Sequence, residues 1–123
     1  MYILITGGTS GLGFYTALTL AEDQNNKILL IGSNKVKGVK AVEEIIKKTK
    51  NKKIKYLEGD LSSIKQISMI AKNLIKEKFD ILINNAGALY FSRMESVEKI
   101  EKTFALNHLS YFALTNLLLQ NKN

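Results

Sequence analysis

The chain has 123 residues, 46% of them hydrophobic, which is enough for one core that buries roughly two thirds of the unfolded surface. With no cysteine and a single histidine, His108, disulfides and thiolate ligands are excluded and no metal site is expected. The net charge of +7 rests on 18 basic residues of which only Arg93 is arginine, and the densest run, Lys47 to Lys55, has no aromatic residue to stack a base.

That run reads as solvated lysine at a helix end, where it complements the dipole, and no nucleic acid is expected as a partner. Tyr2 to Thr6 is the first strand-length run of Ile and Leu. Leu12 to Glu22 follows as a helix, and Lys27 to Gly32 is a second strand. Val36, Val39, Val42, Ile45, Ile46 and Thr49 mark the apolar stripe of a second helix. Ile54 to Glu58 is the third strand. Ile64, Ile67, Ile70, Ala71, Leu74 and Ile75 give the third helix, with Ser63 and Gln66 spaced as a capping box. Asp80 to Asn84 is the fourth strand, and a last helical stretch runs from about Ser96 to Gln120, bent or broken near Asn107.

Strand-length runs rich in Ile and Leu, as expected of strands covered on both faces, alternate with helices and predict parallel pairing through right-handed crossovers. The expected fold is α/β: a Rossmann-type doubly wound parallel sheet of about four strands in three α/β/α layers. No linker, repeat or proline divides it, so residues 1–123 are expected to form a single domain. A basic leader followed by an apolar stretch is not seen at the start, nor is a run of about 18 apolar residues anywhere. A cytoplasmic location without a membrane span is the expectation.

The first strand runs into Thr6, Gly7, Gly8, Thr9, Ser10, Gly11, Leu12 and Gly13. Glycines there allow a sharp turn, close approach of a pyrophosphate to the main chain, and tight packing of helix on strand. A plain tight turn is the alternative. The position of the loop, after a strand and opening a helix, favours Gly7, Thr9, Ser10, Gly11, Leu12 and Gly13 as dinucleotide contacts. An NAD site places a carboxylate about 20 residues further on for the ribose 2′-OH. This chain has Gly32, Ser33, Asn34 and Lys35 there instead. Ser33, Asn34 and Lys35, with Ser10, can donate to a 2′-phosphate, so NADP is expected over NAD; a merely solvated Lys35 is the competing reading.

The spacing of Gly7, Gly11 and Gly13 resembles the TGxxxGxG pattern of the short-chain dehydrogenase/reductase family. Three further stretches match that family in order. Asp60 and Leu61 end the third strand, where the resemblance implies contact with the adenine ring. Asn84, Asn85, Ala86 and Gly87 spell NNAG, implying that Asn85, Ala86 and Gly87 support the sheet and line the ribose side of the cofactor. Asn107, in ALNHLSYFALT, is similar to the helix asparagine that organises the family's proton relay, which would make it the catalytic-side residue of this chain. The look is closest to the retinol dehydrogenase and protochlorophyllide reductase branch. Each residue also has a plainer reading: Asp60 as a turn or cap residue, Asn107 as a polar group satisfying backbone inside a helix. His108 is read as structural or exposed.

The resemblance implies an NADP-dependent oxidoreductase acting on a small-molecule carbonyl or alcohol, assembled from identical subunits. In the family a Tyr with a Lys four residues later, and a Ser, carry the proton transfer. Here Tyr2, Tyr15, Tyr56, Tyr90 and Tyr111 are followed at that distance by Thr6, Thr19, Asp60, Met94 and Thr115. The family's NADP binders often carry Arg after the second strand, where this chain has none. The expectation is therefore the cofactor-binding portion of such an enzyme, truncated before its catalytic Ser, Tyr and Lys and inactive alone. A non-catalytic dinucleotide-binding sensor or partner module is the alternative.

Overall fold

The computed structural model describes residues 1–120; residues 121–123, the end of the expected domain, lie outside the described residues. The chain divides into two compact units, Met1–Glu58 with Lys78–Ala86, and Gly59–Glu77 with the chain from Gly87 onward.

The first unit holds the sheet. β1 (Tyr2–Thr6), β2 (Lys27–Gly32), β3 (Ile54–Glu58) and β4 (Ile81–Ile83) are all parallel and lie in the order β3-β2-β1-β4. The chain therefore moves outward from β1 to β3 and then reverses to the other side of β1. Such a reversal opens a crevice beyond the carboxyl ends of β1 and β4. This is the expected α/β Rossmann-type sheet. Ile3, Leu4 and Ile5 are consecutive and fully buried, as are Leu30 and Ile31, so neither face of these strands reaches solvent. Each such side chain contributes roughly 1.5–3 kcal/mol on burial.

Two helices belong to this unit. α1 (Gly11–Ala21) buries Phe14, Ala17 and Ala21, which join Ile3, Ile5, Ile28 and Leu30 in one cluster with Ala41 and Ile45 of α2 (Lys35–Thr49). Asn34 caps α2, its Oδ1 accepting from the Lys37 N–H at 3.0 Å. The helix ends at Lys50, which takes a left-handed conformation (φ 64°) and donates its N–H to the Ile46 carbonyl at 2.8 Å. The buried face of α2 differs from the expected stripe. Gly38, Ala41 and Ile45 face inward, whereas Val36 and Val39 are 73% and 45% exposed. Small residues at 38 and 41 let the helix approach the sheet closely, which bulkier valines would prevent.

Within the lysine-rich run, Asn51 is 1% exposed. Its Nδ2 donates to the carbonyls of Ala21, Asp23 and Asn26, at 3.2, 3.2 and 3.0 Å, and so ties the turn after α1 to the approach of β3.

In the second unit, α3 (Ile64–Asn73) buries Ile67, Ile70 and Ala71 and packs with α5 (Ser110–Leu119), whose Leu114 is buried. Half of the expected capping box forms. Ser63 Oγ accepts from the Gln66 N–H, but Gln66 Oε1 accepts from Asp60 N–H rather than returning to Ser63. The last helical stretch starts later than expected. Ser96 to Ile100 is a turn closed by an antiparallel bridge between Glu95 and Glu101, with Lys99 left-handed at φ 64°. The helix begins as α4 (Lys102–Phe104), capped by the Glu101 carboxylate, which accepts from Thr103 and Phe104 N–H. The expected bend near Asn107 is a π-helical turn, Ala105–Leu109, in which Ser110 N–H bonds back to the Ala105 carbonyl.

Candidate functional site

The glycine turn occupies the carboxyl end of β1. Gly7 and Gly11 are the two glycines with positive φ, 66° and 54°, a region that L side chains enter at a cost of roughly 1–2 kcal/mol. Gly7 has a second constraint. A Cβ there would stand 2.8 Å from the Ala86 Cα, because the segment leaving β4 crosses directly against the turn. Gly13 meets the same segment from the helix side, where an added Cβ would overlap the Gly7 carbonyl and the Asn85 amide. Gly11 is different: an added Cβ meets nothing within 4 Å. Two glycines are thus demanded by packing, while the third faces open space.

The turn and the β4 exit are clamped by Thr6 and Asn85. Thr6 Oγ1 accepts from the backbone N–H of Asn85 and of Ala86, each at 3.0 Å. Asn85 Nδ2 donates to the carbonyls of Thr6 (3.2 Å) and Gly7 (3.1 Å). The Asn85 side chain, expected to line a cofactor, is therefore engaged with the loop itself. Thr6 was not among the expected site residues. Its signal was a β-branched hydroxyl at the last position of the strand, 1% exposed, which must find buried partners.

Ser10 precedes α1 in extended conformation (φ −158°, ψ 168°), and its side chain makes no capping bond. No acidic residue lies in the first turn of the helix. Leu12 is 78% exposed despite its apolar side chain. Thr9 packs toward β2, since a Cβ on Gly32 would lie 3.1 Å from its methyl group. Gly32 ends β2, and Ser33, Asn34 and Lys35 follow it, all exposed, with the Asn34 side chain engaged as the α2 cap. A row of N–H groups at a helix start, a free hydroxyl and an unfilled space at Gly11 together suit an anionic group held against the main chain.

Asp60, Leu61, Gly87 and Asn107 belong to the second unit. Asp60 Oδ1 accepts from the Ser62 N–H (2.9 Å) and from Ser62 Oγ (2.7 Å), closing the turn before α3. Leu61 is buried and Gly87 exposed. Asn107 Nδ2 donates to the Ala88 carbonyl while its Oδ1 accepts from the Ala88 N–H, both at 2.9 Å. The plainer reading of each polar residue is thus realised: Asp60 closes a turn and Asn107 satisfies backbone. His108 is exposed and stacks on Phe104 with ring centroids 5.2 Å apart. Among the described residues no cluster of three or more metal-ligating side chains occurs, and no helix is long and apolar enough to cross a membrane.

A parallel sheet whose order reverses beside a glycine turn defines the Rossmann class. The short chain dehydrogenase family model matches residues 1–122, and the chain belongs to that family. Human polyprenol dehydrogenase is 36% identical over 118 residues, covering 94% of this chain and 36% of its own length. Human retinol dehydrogenase 13 is 38% identical over 119 residues, covering 95% of this chain and 36% of its own. Among solved structures, the Pseudomonas aeruginosa RhlG/NADP active-site complex matches with a TM-score of 0.79 at 27% identity, over 96% of this chain and 46% of that one. The chain therefore spans about a third of the length of the curated relatives it matches.

Proposed function

We propose that this chain is the cofactor-binding portion of an NADP-dependent oxidoreductase that acts on a small-molecule carbonyl or alcohol. The observation that carries the reading is Gly11: a left-handed glycine at the start of α1, where an added Cβ would meet nothing within 4 Å among the described residues. The backbone around Gly11 and Leu12, with the Ser10 hydroxyl, would hold the pyrophosphate at the positive end of the helix. Gly7, Gly13, Asn85 and Ala86 would shape that loop, and Thr9 would join it to β2.

NADP is preferred to NAD because Ser33, Asn34 and Lys35 offer donors and no carboxylate after β2. For the second unit, the proposed roles are those the resemblance implies: Asp60 and Leu61 for adenine, Gly87 for the ribose side, Asn107 for proton-relay organisation. The bound dinucleotide would supply hydride transfer to or from the carbonyl carbon. A cytoplasmic location and an assembly of identical subunits complete the proposal.

Titration of the protein with NADPH and with NADH by calorimetry tests it. Binding of NADPH at least several-fold tighter than NADH is expected. Tighter NADH binding would overturn the assignment of Ser33, Asn34 and Lys35, and absence of binding to either would overturn the assignment of the glycine loop.

A further inference from the structure

Tyr56 lies in β3 opposite Leu30 of β2, yet its hydroxyl reaches two residues further along β2 and donates to the Gly32 carbonyl at 2.7 Å. That carbonyl belongs to the last residue before the loop of Ser33, Asn34 and Lys35. The ring reaches this position by lying flat against the first turns of α2. Any side chain at Gly38 would overlap the ring, and a Cβ on Gly32 would lie 3.5 Å from its Cε2. Glycines at 32 and 38 therefore make the slot that this ring fills. A phenylalanine would fill the same slot, so the ring accounts for packing and only the hydroxyl needs a further reason.

The hydroxyl acts on the loop from within. Asn34, two residues beyond Gly32, caps α2 by accepting from Lys37 N–H. The loop is thus held at Gly32 by Tyr56 and at Asn34 by the helix cap. Ser33, between these anchors, and Lys35, just beyond, are exposed.

We propose that Tyr56 is a positioning residue for cofactor choice: by holding Gly32 through its hydroxyl, it fixes the loop in the shape that presents Ser33 and Lys35 to a 2′-phosphate. The inference rests on the NADP reading above. It assigns to a residue inside β3, with no contact to the ligand, control over which dinucleotide is preferred.

The test compares the protein with Tyr56→Phe, using NADPH and NADH, and also adenosine 2′,5′-bisphosphate and 5′-AMP as fragments that isolate the 2′-phosphate. Losing one hydrogen bond to the loop is expected to weaken binding of the 2′-phosphorylated ligands by about three- to tenfold, while NADH and 5′-AMP change by less than about twofold. Amide exchange over residues 33–35 should quicken in the variant. An unchanged ratio between phosphorylated and unphosphorylated ligands, or an equal loss for both, overturns the role of Tyr56 while leaving the NADP reading intact. Unchanged amide exchange over 33–35 overturns it as well, independently of any ligand. Failure of the parent protein to prefer the 2′-phosphorylated ligands overturns the NADP reading itself, and the Tyr56 inference with it.

Discussion

The side-chain amide of Asn85 donates to the carbonyls of Thr6 and Gly7, one on either side of Gly7, at 3.2 and 3.1 Å. The side chain therefore sets the direction in which the glycine turn leaves β1. Asn85→Ala removes the donor and leaves two partly buried carbonyls without it, at a cost of about 1–3 kcal/mol. Urea unfolding should show that loss in protein free of dinucleotide. Unchanged stability with weakened binding would instead make Asn85 a direct ligand contact.

The glycines of the turn should separate by mechanism. Gly13→Ala drives a Cβ into the Gly7 carbonyl and the Asn85 amide, so folding itself should suffer. Gly11→Val meets open space and loses roughly 1–2 kcal/mol to its left-handed backbone. Its larger effect should fall on dinucleotide binding, weakened by more than about tenfold because the side chain occupies the approach to the main chain. Calorimetry of the folded variant showing the parent affinity would remove the loop from the site.

Asp60 tests adenine recognition against turn closure. Its two bonds to Ser62 predict that Asp60→Ala lowers thermal stability without any ligand, by about 1–2 kcal/mol. A selective loss of adenine-nucleotide affinity on top of that fall is the expected signature of the family role. If stability drops and affinity holds, Asp60 is a turn residue alone.

Glu98 gives the second unit an acid sensitivity. The Lys65 N–H, with the Ser63 and Ser96 hydroxyls, holds its carboxyl below the ordinary value of 4.5 against the opposing cost of burial. Glu101, held by Phe104 and Thr103 N–H groups, is lowered in the same way. A depressed folded value means that the stabilisation is present above about pH 4.5 and is lost as pH falls through the folded value. Melting temperature followed from pH 7 to 3 should decline below about pH 4.5, and Glu98→Gln should flatten that decline. Both residues are only partly buried, so added salt should shrink the difference. A variant with the parent's full acid slope would exclude Glu98 as a source.

The bounds of β1 and β2 were legible because continuous Ile and Leu runs leave no other use for those residues, and β3 because Ile54, Tyr56 and Leu57 make a short run of strand formers between two helix patterns. β4 proved shorter than Asp80 to Asn84. Asp80 lies just outside its paired residues, its N–H donating to the Tyr2 carbonyl and its carboxylate accepting from Tyr2 N–H. Ser96 to Ile100 misled because Val97 and Ile100 keep helical spacing, while the Ser96 hydroxyl competes for the Ile100 N–H and closes a turn instead. The glycine loop was legible as a loop. The work of Thr6, Asn51 and Tyr56 was not, since each acts on backbone that is 24 to 80 residues away in sequence. Periodicity carries no record of such partners.

The π-helical turn at Ala105–Leu109 also changes how mutations along this stretch must be counted. One surplus residue has been absorbed into a single wide turn, so positions after Leu109 are offset by one from the spacing that starts at Lys102. Removing a single residue from the turn would let an ordinary α-helix run through from Lys102 to Leu119, with Leu114 still facing its neighbours. What would be lost is the aim of Asn107 at Ala88. A shortening, rather than any substitution, thus separates the integrity of the helix from the anchoring of the segment that follows β4, and the surplus residue is the feature to trace when related chains are compared.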